Sequence, residues 1–142
     1  MAIPLAWSLA MMPHVVKVLT LVAYRGPLKY DNNIPRAVNV DEIFQANPAL
    51  GEFVKRCKSA HDNGWENLPF FSSAVLMAKI TGVAAASLNP LVETYLAGRL
   101  VYNLVYMANV NPALAAVRSV VYFAGVATIF EIFRLAAAKQ PQ

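Results

Sequence analysis

The chain has 142 residues, 58% of them hydrophobic and only 14% charged, with a net charge of +4. A soluble domain carries about 25% charged residues, so the composition and the mean hydropathy of +0.45 exclude disorder and point to a single-domain polytopic membrane protein spanning residues 1–142. The basic residues are too dispersed for a nucleic-acid stripe. One cysteine, Cys57, excludes an intrachain disulfide, and two distant histidines, His14 and His61, argue against a metal site.

Four apolar segments follow one another. The first is Ala2 to Tyr24, with Lys17 its only charge. It lacks a basic leader and is too long for a signal peptide. Next comes the one long polar region, Arg25 to Glu66. Arg25-Gly26-Pro27 ends the first helix, and Tyr30 to Arg36 reads as irregular structure. From about Pro48 the pattern turns helical, with Leu50, Phe53, Val54 and Cys57 on one side, and runs on into the second segment. That segment is Leu68 to Leu88, closed by a tight break at Asn89-Pro90. The third is Leu91 to Ala108, and Asn111-Pro112 breaks it from the fourth, Ala113 to Ala138. Each is close to the ~20 residues that cross a hydrocarbon core, so four transmembrane helices are expected. No repeat or low-complexity run is visible.

Arg25, Lys29, Arg36, Lys55, Arg56 and Lys58 cluster on the first connection. The positive-inside rule places that connection in the cytoplasm and both termini outside or in a lumen. The same residues suit anionic lipid headgroups.

Polar residues within the spans form stripes. Asn63 and Glu66 share a face of the second helix. Arg99, Tyr102 and Tyr106 share a face of the third, bordered by Asn103. Arg118, Ser119 and Tyr122 open the fourth, and His14, Lys17 and Tyr24 mark the first. Such stripes also serve as interhelical glue. Asn63, Glu66, Tyr106, Arg118, Ser119 and Tyr122, however, fall near the cytoplasmic ends of their helices, which suggests a pocket for an anionic polar ligand, open to lipid. Arg99 is expected to pair with Glu66, and Lys79 with Glu131 at matched depth. Cys57 reads as a small buried hydrophobe and His61 as an interfacial side chain.

Together, Ala60-His61-x-Asn63-x-x-Glu66-x-x-Pro69-x-Phe71, then Arg99-x-x-Tyr102-x-x-x-Tyr106 and Arg118-Ser119-x-x-Tyr122, resemble the MAPEG family, the membrane-associated proteins in eicosanoid and glutathione metabolism. The similarity covers about residues 10 to 135. The Tyr30-Asp31-Asn32 to Pro35-Arg36 stretch looks like the bacterial or fungal branch. The resemblance implies an all-α four-helix bundle that assembles as a homotrimer, in the endoplasmic reticulum or a bacterial inner membrane. It implies glutathione between protomers, held by Asn63, Glu66, Tyr102, Tyr106, Arg118, Ser119 and Tyr122, with Arg25 a further candidate for a glutathione carboxylate. Arg118 would favour thiolate over thiol, with Ser119 donating a second hydrogen bond and Tyr122 beside them.

Glutathione-using members commonly carry Arg four residues before the motif Asn or immediately before it. Here those positions are Ser59 and Asp62. Three readings therefore stay open: a glutathione-dependent transferase or isomerase of a lipophilic small molecule, a glutathione-independent isomerase or cyclase on the same scaffold, and a non-catalytic lipid-binding module.

Overall fold

The computed structural model describes residues 1–26 and 40–139, without the side chains of Arg25 and residues 40–42. The expected irregular stretch Tyr30 to Arg36 lies outside the described residues. The helices are α1 (Ala2–Arg25), α2 (Val40–Ala46), α3 (Pro48–Ile80), α4 (Ala85–Met107) and α5 (Pro112–Ala137). The described residues contain no strand. α3 and α4 touch each other, and each also touches α1 and α5, whereas α1 and α5 do not meet. The pair α3 and α4 is thus the spine of the molecule.

The helix starts follow from local chemistry. Asn47 accepts from the Leu50 amide at 3.1 Å and Asn111 from the Leu114 amide at 3.0 Å, each with Pro at the first helical position. α3 is continuous for 33 residues from Pro48, as the sequence pattern indicates. It ends earlier than expected. The turn to α4 lies at Thr81-Gly82, where Gly82 takes φ +74°, and not at Asn89-Pro90. Pro90 sits inside α4, where its missing N–H leaves the Ala86 carbonyl without its usual donor and yet does not end the helix.

Two helices, α1 over Ala2–Tyr24 and α5, are long and apolar enough to cross a membrane. α3 and α4 have the length but carry more polar and charged side chains, so the expected four spans reduce to two on apolarity alone.

The core lies between α3, α4 and α5. Phe71 stacks on Tyr95 at 4.0 Å between centroids, flanked by Ile129 and Ile132 of α5. A smaller cluster of Leu21, Ile43 and Val54 clamps α2 against α1 and α3. Gly64 brings α1 and α3 close. A Cβ there would meet the Cα and Cβ of Ala10 at 3.0 Å.

Pro13 lies inside α1 and accounts for an interhelical contact. It has no N–H for the Leu9 carbonyl, and a proline ring also disturbs the neighbouring turn. Asn103 of α4 donates to the Leu9 oxygen at 2.8 Å, and His61 of α3 meets the Ala10 oxygen through Nδ1 at 2.9 Å. The Asn103 amide thus satisfies the carbonyl that the proline frees, as apolar surroundings require, and His61 adds a contact one residue on.

Candidate functional site

α3, α4 and α5 converge on a cavity of about 250 Å³, lined by Asn63, Tyr102, Tyr106, Arg118, Ser119, Tyr122 and Phe123. Six of the eight candidate residues are therefore in one place. Helical spacing does this: Tyr102 and Tyr106 are one turn apart on α4, Arg118 and Tyr122 one turn apart on α5.

The rings and guanidinium groups form a ladder. Arg99 lies over Tyr102, and Arg118 over Tyr106, both at 4.6 Å from guanidinium carbon to ring centroid. Tyr102 packs on Tyr106 at 5.5 Å and on Tyr122 at 6.1 Å. Two aromatic rings therefore separate two cations. Among the described residues Arg118 has no carboxylate partner. Its charge persists at any working pH, so the cavity presents a fixed positive charge to whatever occupies it.

Arg99 is different. It is 7% exposed, and its Nη1 donates to Asn63 Oδ1 at 2.9 Å. Asn67 Nδ2 donates to the Asn63 carbonyl at 2.9 Å and approaches its Oδ1 at 3.4 Å. Arg99 Nη2 and Asn103 Oδ1 are buried without a partner. The expected Arg99–Glu66 pair is absent. Glu66 is exposed on α3 and makes no ion pair among the described residues, because Asn63, one turn earlier, is the residue that faces α4. Glu66 does not line the cavity. The side chain of Arg25, the remaining candidate, lies outside the described residues.

Ser119 Oγ donates back to the Ala115 carbonyl at 3.1 Å, so its hydrogen is committed along its own helix. The basic residues near the motif are also committed. Arg56 Nε donates to the Met107 carbonyl at 3.0 Å, capping the end of α4, and Lys58 pairs with Asp62 at 2.7 Å. Asp62 therefore does not face the cavity as a bare anion.

The remaining polar groups are structural. His61 bonds Ala10 through Nδ1 and accepts the Trp65 indole N–H at Nε2, 3.0 Å away. With both nitrogens engaged, it has no position for a catalytic base. Cys57 is fully buried, and burial pushes its thiol up to about 11, against the opposing pull of Arg56. Such a thiol is inert at neutral pH. Glu131 pairs with Arg134 one turn along α5, both contacts at 2.6 Å, rather than with Lys79. The i,i+3 neighbour is nearer than a residue on another helix.

Sequence reasoning missed Phe123, which adds an exposed apolar wall to the cavity, and Asn67, which braces Asn63. Their spacing carried the signal: each is four residues beyond a recognised polar position, Ser119 and Asn63.

The MAPEG family model matches residues 2–138. The chain belongs to the MAPEG family. Membership makes this MAPEG protein a membrane protein of the glutathione and eicosanoid class, in agreement with the apolar α1 and α5. No curated protein and no solved structure matches it.

Proposed function

We propose that this MAPEG protein is a membrane enzyme that uses glutathione as a thiolate, held at Arg118, to act as a transferase or isomerase on a lipophilic small molecule. The single observation that carries this reading is a cavity holding a guanidinium with no acid partner, ringed by three phenols. A tripeptide with two carboxylates and a thiol fits such a donor-rich set.

Glutathione, when bound, supplies the sulfur nucleophile. Arg118 lowers the thiol pKa by placing positive charge beside the sulfur. The phenols of Tyr102, Tyr106 and Tyr122, with the Asn63 amide, donate hydrogen bonds that orient carboxylates. Rotation of Ser119 away from Ala115 would add one more. Phe123 and Val120, both about two-thirds exposed, offer the apolar flank along which a lipophilic substrate approaches.

In this reading α3 and α4 cross the membrane beside α1 and α5, giving four spans, and the first connection lies on the cytoplasmic side. α5 is largely exposed along its apolar length. A homotrimer would cover part of that face and bring Glu66, exposed and without an ion pair among the described residues, to the site from outside. The membrane would be the endoplasmic reticulum or a bacterial inner membrane.

One observation favours a second reading, a glutathione-independent isomerase or cyclase. Arg56 and Lys58 are engaged elsewhere, so the described part of α3 offers the cavity no second cation for a second carboxylate. Retention on a glutathione resin after detergent extraction separates the two. The glutathione reading expects wild type to be retained and released by free glutathione, with Arg118→Leu washing through. Passage of wild type through the resin without retention supports the second reading.

A further inference from the structure

Asn63 belongs to both halves of the site. Its side chain lines the Arg118 cavity and also meets the buried Arg99. A guanidinium carries donors only. The Asn63 oxygen, and not its nitrogen, must therefore face it, and Arg99 Nη1 donates to Oδ1 at 2.9 Å. Asn67 imposes the same choice independently. Its Nδ2 donates to the Asn63 backbone carbonyl, an acceptor only, at 2.9 Å, and the same nitrogen lies 3.4 Å from Oδ1. Arg99 and Asn67 are both buried, so water does not readily replace the Asn63 oxygen.

Turning the Asn63 amide over would set its N–H2 group against these donors. Arg99 Nη2 is already buried without a partner. A turned amide would orphan Nη1 as well, and a buried donor of a charged group is costly to leave unmade. The oxygen is thus locked toward Arg99, and the N–H2 group is the part left over. Among the described residues nothing accepts from Asn63 Nδ2, and that nitrogen is not closed off by protein, so it opens on the cavity.

The other lining groups are less decided. Phenol and serine hydroxyls turn to donate or to accept, and Phe123 is apolar. Without the lock, Arg118 would be the one lining group of fixed polarity. With it there are two, both donors, and no carboxylate lines the cavity. Resting on the reading of this cavity as a site for a carboxylate-bearing ligand, we infer that Arg99 is a positioning residue, which holds the Asn63 amide with N–H2 toward the cavity and so sets a preference for a carboxylate over a neutral amide of the same shape. A carboxylate brings oxygens only and accepts from both fixed donors. An amide brings an N–H2 group of its own, which meets them donor to donor.

The test titrates the full chain in deuterated detergent with two probes of one shape, glutarate and glutaramide, followed by saturation-transfer NMR. Wild type should prefer glutarate by about 100-fold, two charge-assisted hydrogen bonds at about tenfold each. Arg99→Gln presents either oxygen or N–H2 and frees the Asn63 amide to turn, so it should cut that ratio by about tenfold. Arg99→Lys, a donor only, should keep it. Asn63→Asp keeps one oxygen on Arg99 and sets the other toward the cavity, so it should stay folded and lose the preference. A purely structural role weakens both probes alike and leaves their ratio unmoved. Glutathione is titrated beside them. Wild type that ignores glutathione but prefers glutarate ends the glutathione reading and supports this one. Equal affinity of wild type for the two probes, or an undiminished ratio in Arg99→Gln or Asn63→Asp, would overturn the inference. So would a further fall in the ratio when Arg99→Gln is added to Asn63→Leu, because the charge of Arg99 would then act without the amide.

Discussion

Arg99 and Arg118 stand on opposite sides of one pair of tyrosine rings, yet they differ in kind. Arg99 is buried between α3 and α4, bonded to Asn63 and stacked on Tyr102. Arg118 is partly exposed, stacked on Tyr106, and lines an open cavity with no acid beside it. The first cation is absorbed by protein groups and holds helices together. The second is left for a ligand. Similar motif residues thus divide into a structural knot and a site, and the division follows from partners and exposure rather than from residue type.

The largest expected effect lies on the Arg118 side. Arg118→Leu should lower turnover by on the order of 100-fold, the usual consequence of removing one preorganised charge-stabilising group. Its stability should fall by only about 0.5–1 kcal/mol, for the lost contact with Tyr106. Activity assays beside thermal unfolding in detergent check both. A large stability loss would place Arg118 in the knot with Arg99.

The knot should behave in the opposite way. Asn63→Leu removes the oxygen that Arg99 Nη1 uses and should destabilise by about 2–3 kcal/mol, the scale of a hydrogen bond to a charged group. Glu66→Gln should change stability by less than about 0.5 kcal/mol, as for an exposed surface site. A double-mutant cycle sharpens the contrast: Asn63→Leu and Arg99→Met should couple, while Glu66→Gln and Arg99→Met should add. Coupling to Glu66 instead would restore the ion pair that the sequence suggested.

A smaller effect belongs to the proline inside α1. Asn103→Leu leaves the Leu9 carbonyl without its donor and should cost about 1–2 kcal/mol. In a Pro13→Ala background a backbone N–H becomes available, and the same change should cost less. Equal costs in both backgrounds would separate the Asn103 contact from Pro13.

The effect of Cys57 appears only at high pH and vanishes at neutral pH. Its folded thiol is raised by burial to about 11, above the ~8.5 of an exposed cysteine. The protonated thiol therefore favours the folded state fully below about pH 8.5. That contribution fades as pH rises toward 11. Thiol labelling at neutral pH should require unfolding, and Cys57→Ser should flatten the decline of stability above pH 9.

Much of this was legible in the chain. Helix starts at Pro48 and Pro112 follow from Asn-Pro pairs, and the tyrosine and arginine spacings bring six candidate residues to one cavity. Partner choice was not legible. Periodicity places Asn63 and Glu66 on one broad face, but only packing of α3 against α4 shows that the amide and not the carboxylate meets Arg99. The α3–α4 turn escaped for a related reason. Asn-Pro at 89–90 looks like a stronger break than Thr81-Gly82, yet α4 runs through Pro90, and the positive φ of Gly82 makes the turn. Pairing of Glu131 with Arg134 rather than Lys79 shows the same thing on α5: local i,i+3 geometry prevails over a match in depth.

The most direct measurement is the ultraviolet difference spectrum of glutathione added to the purified protein at neutral pH. Stabilisation by Arg118 should give a thiolate band with wild type, a weaker one with Arg118→Lys, which keeps the charge without the fork, and none with Arg118→Leu at unchanged fold. A full thiolate band in Arg118→Leu would contradict the assignment of Arg118.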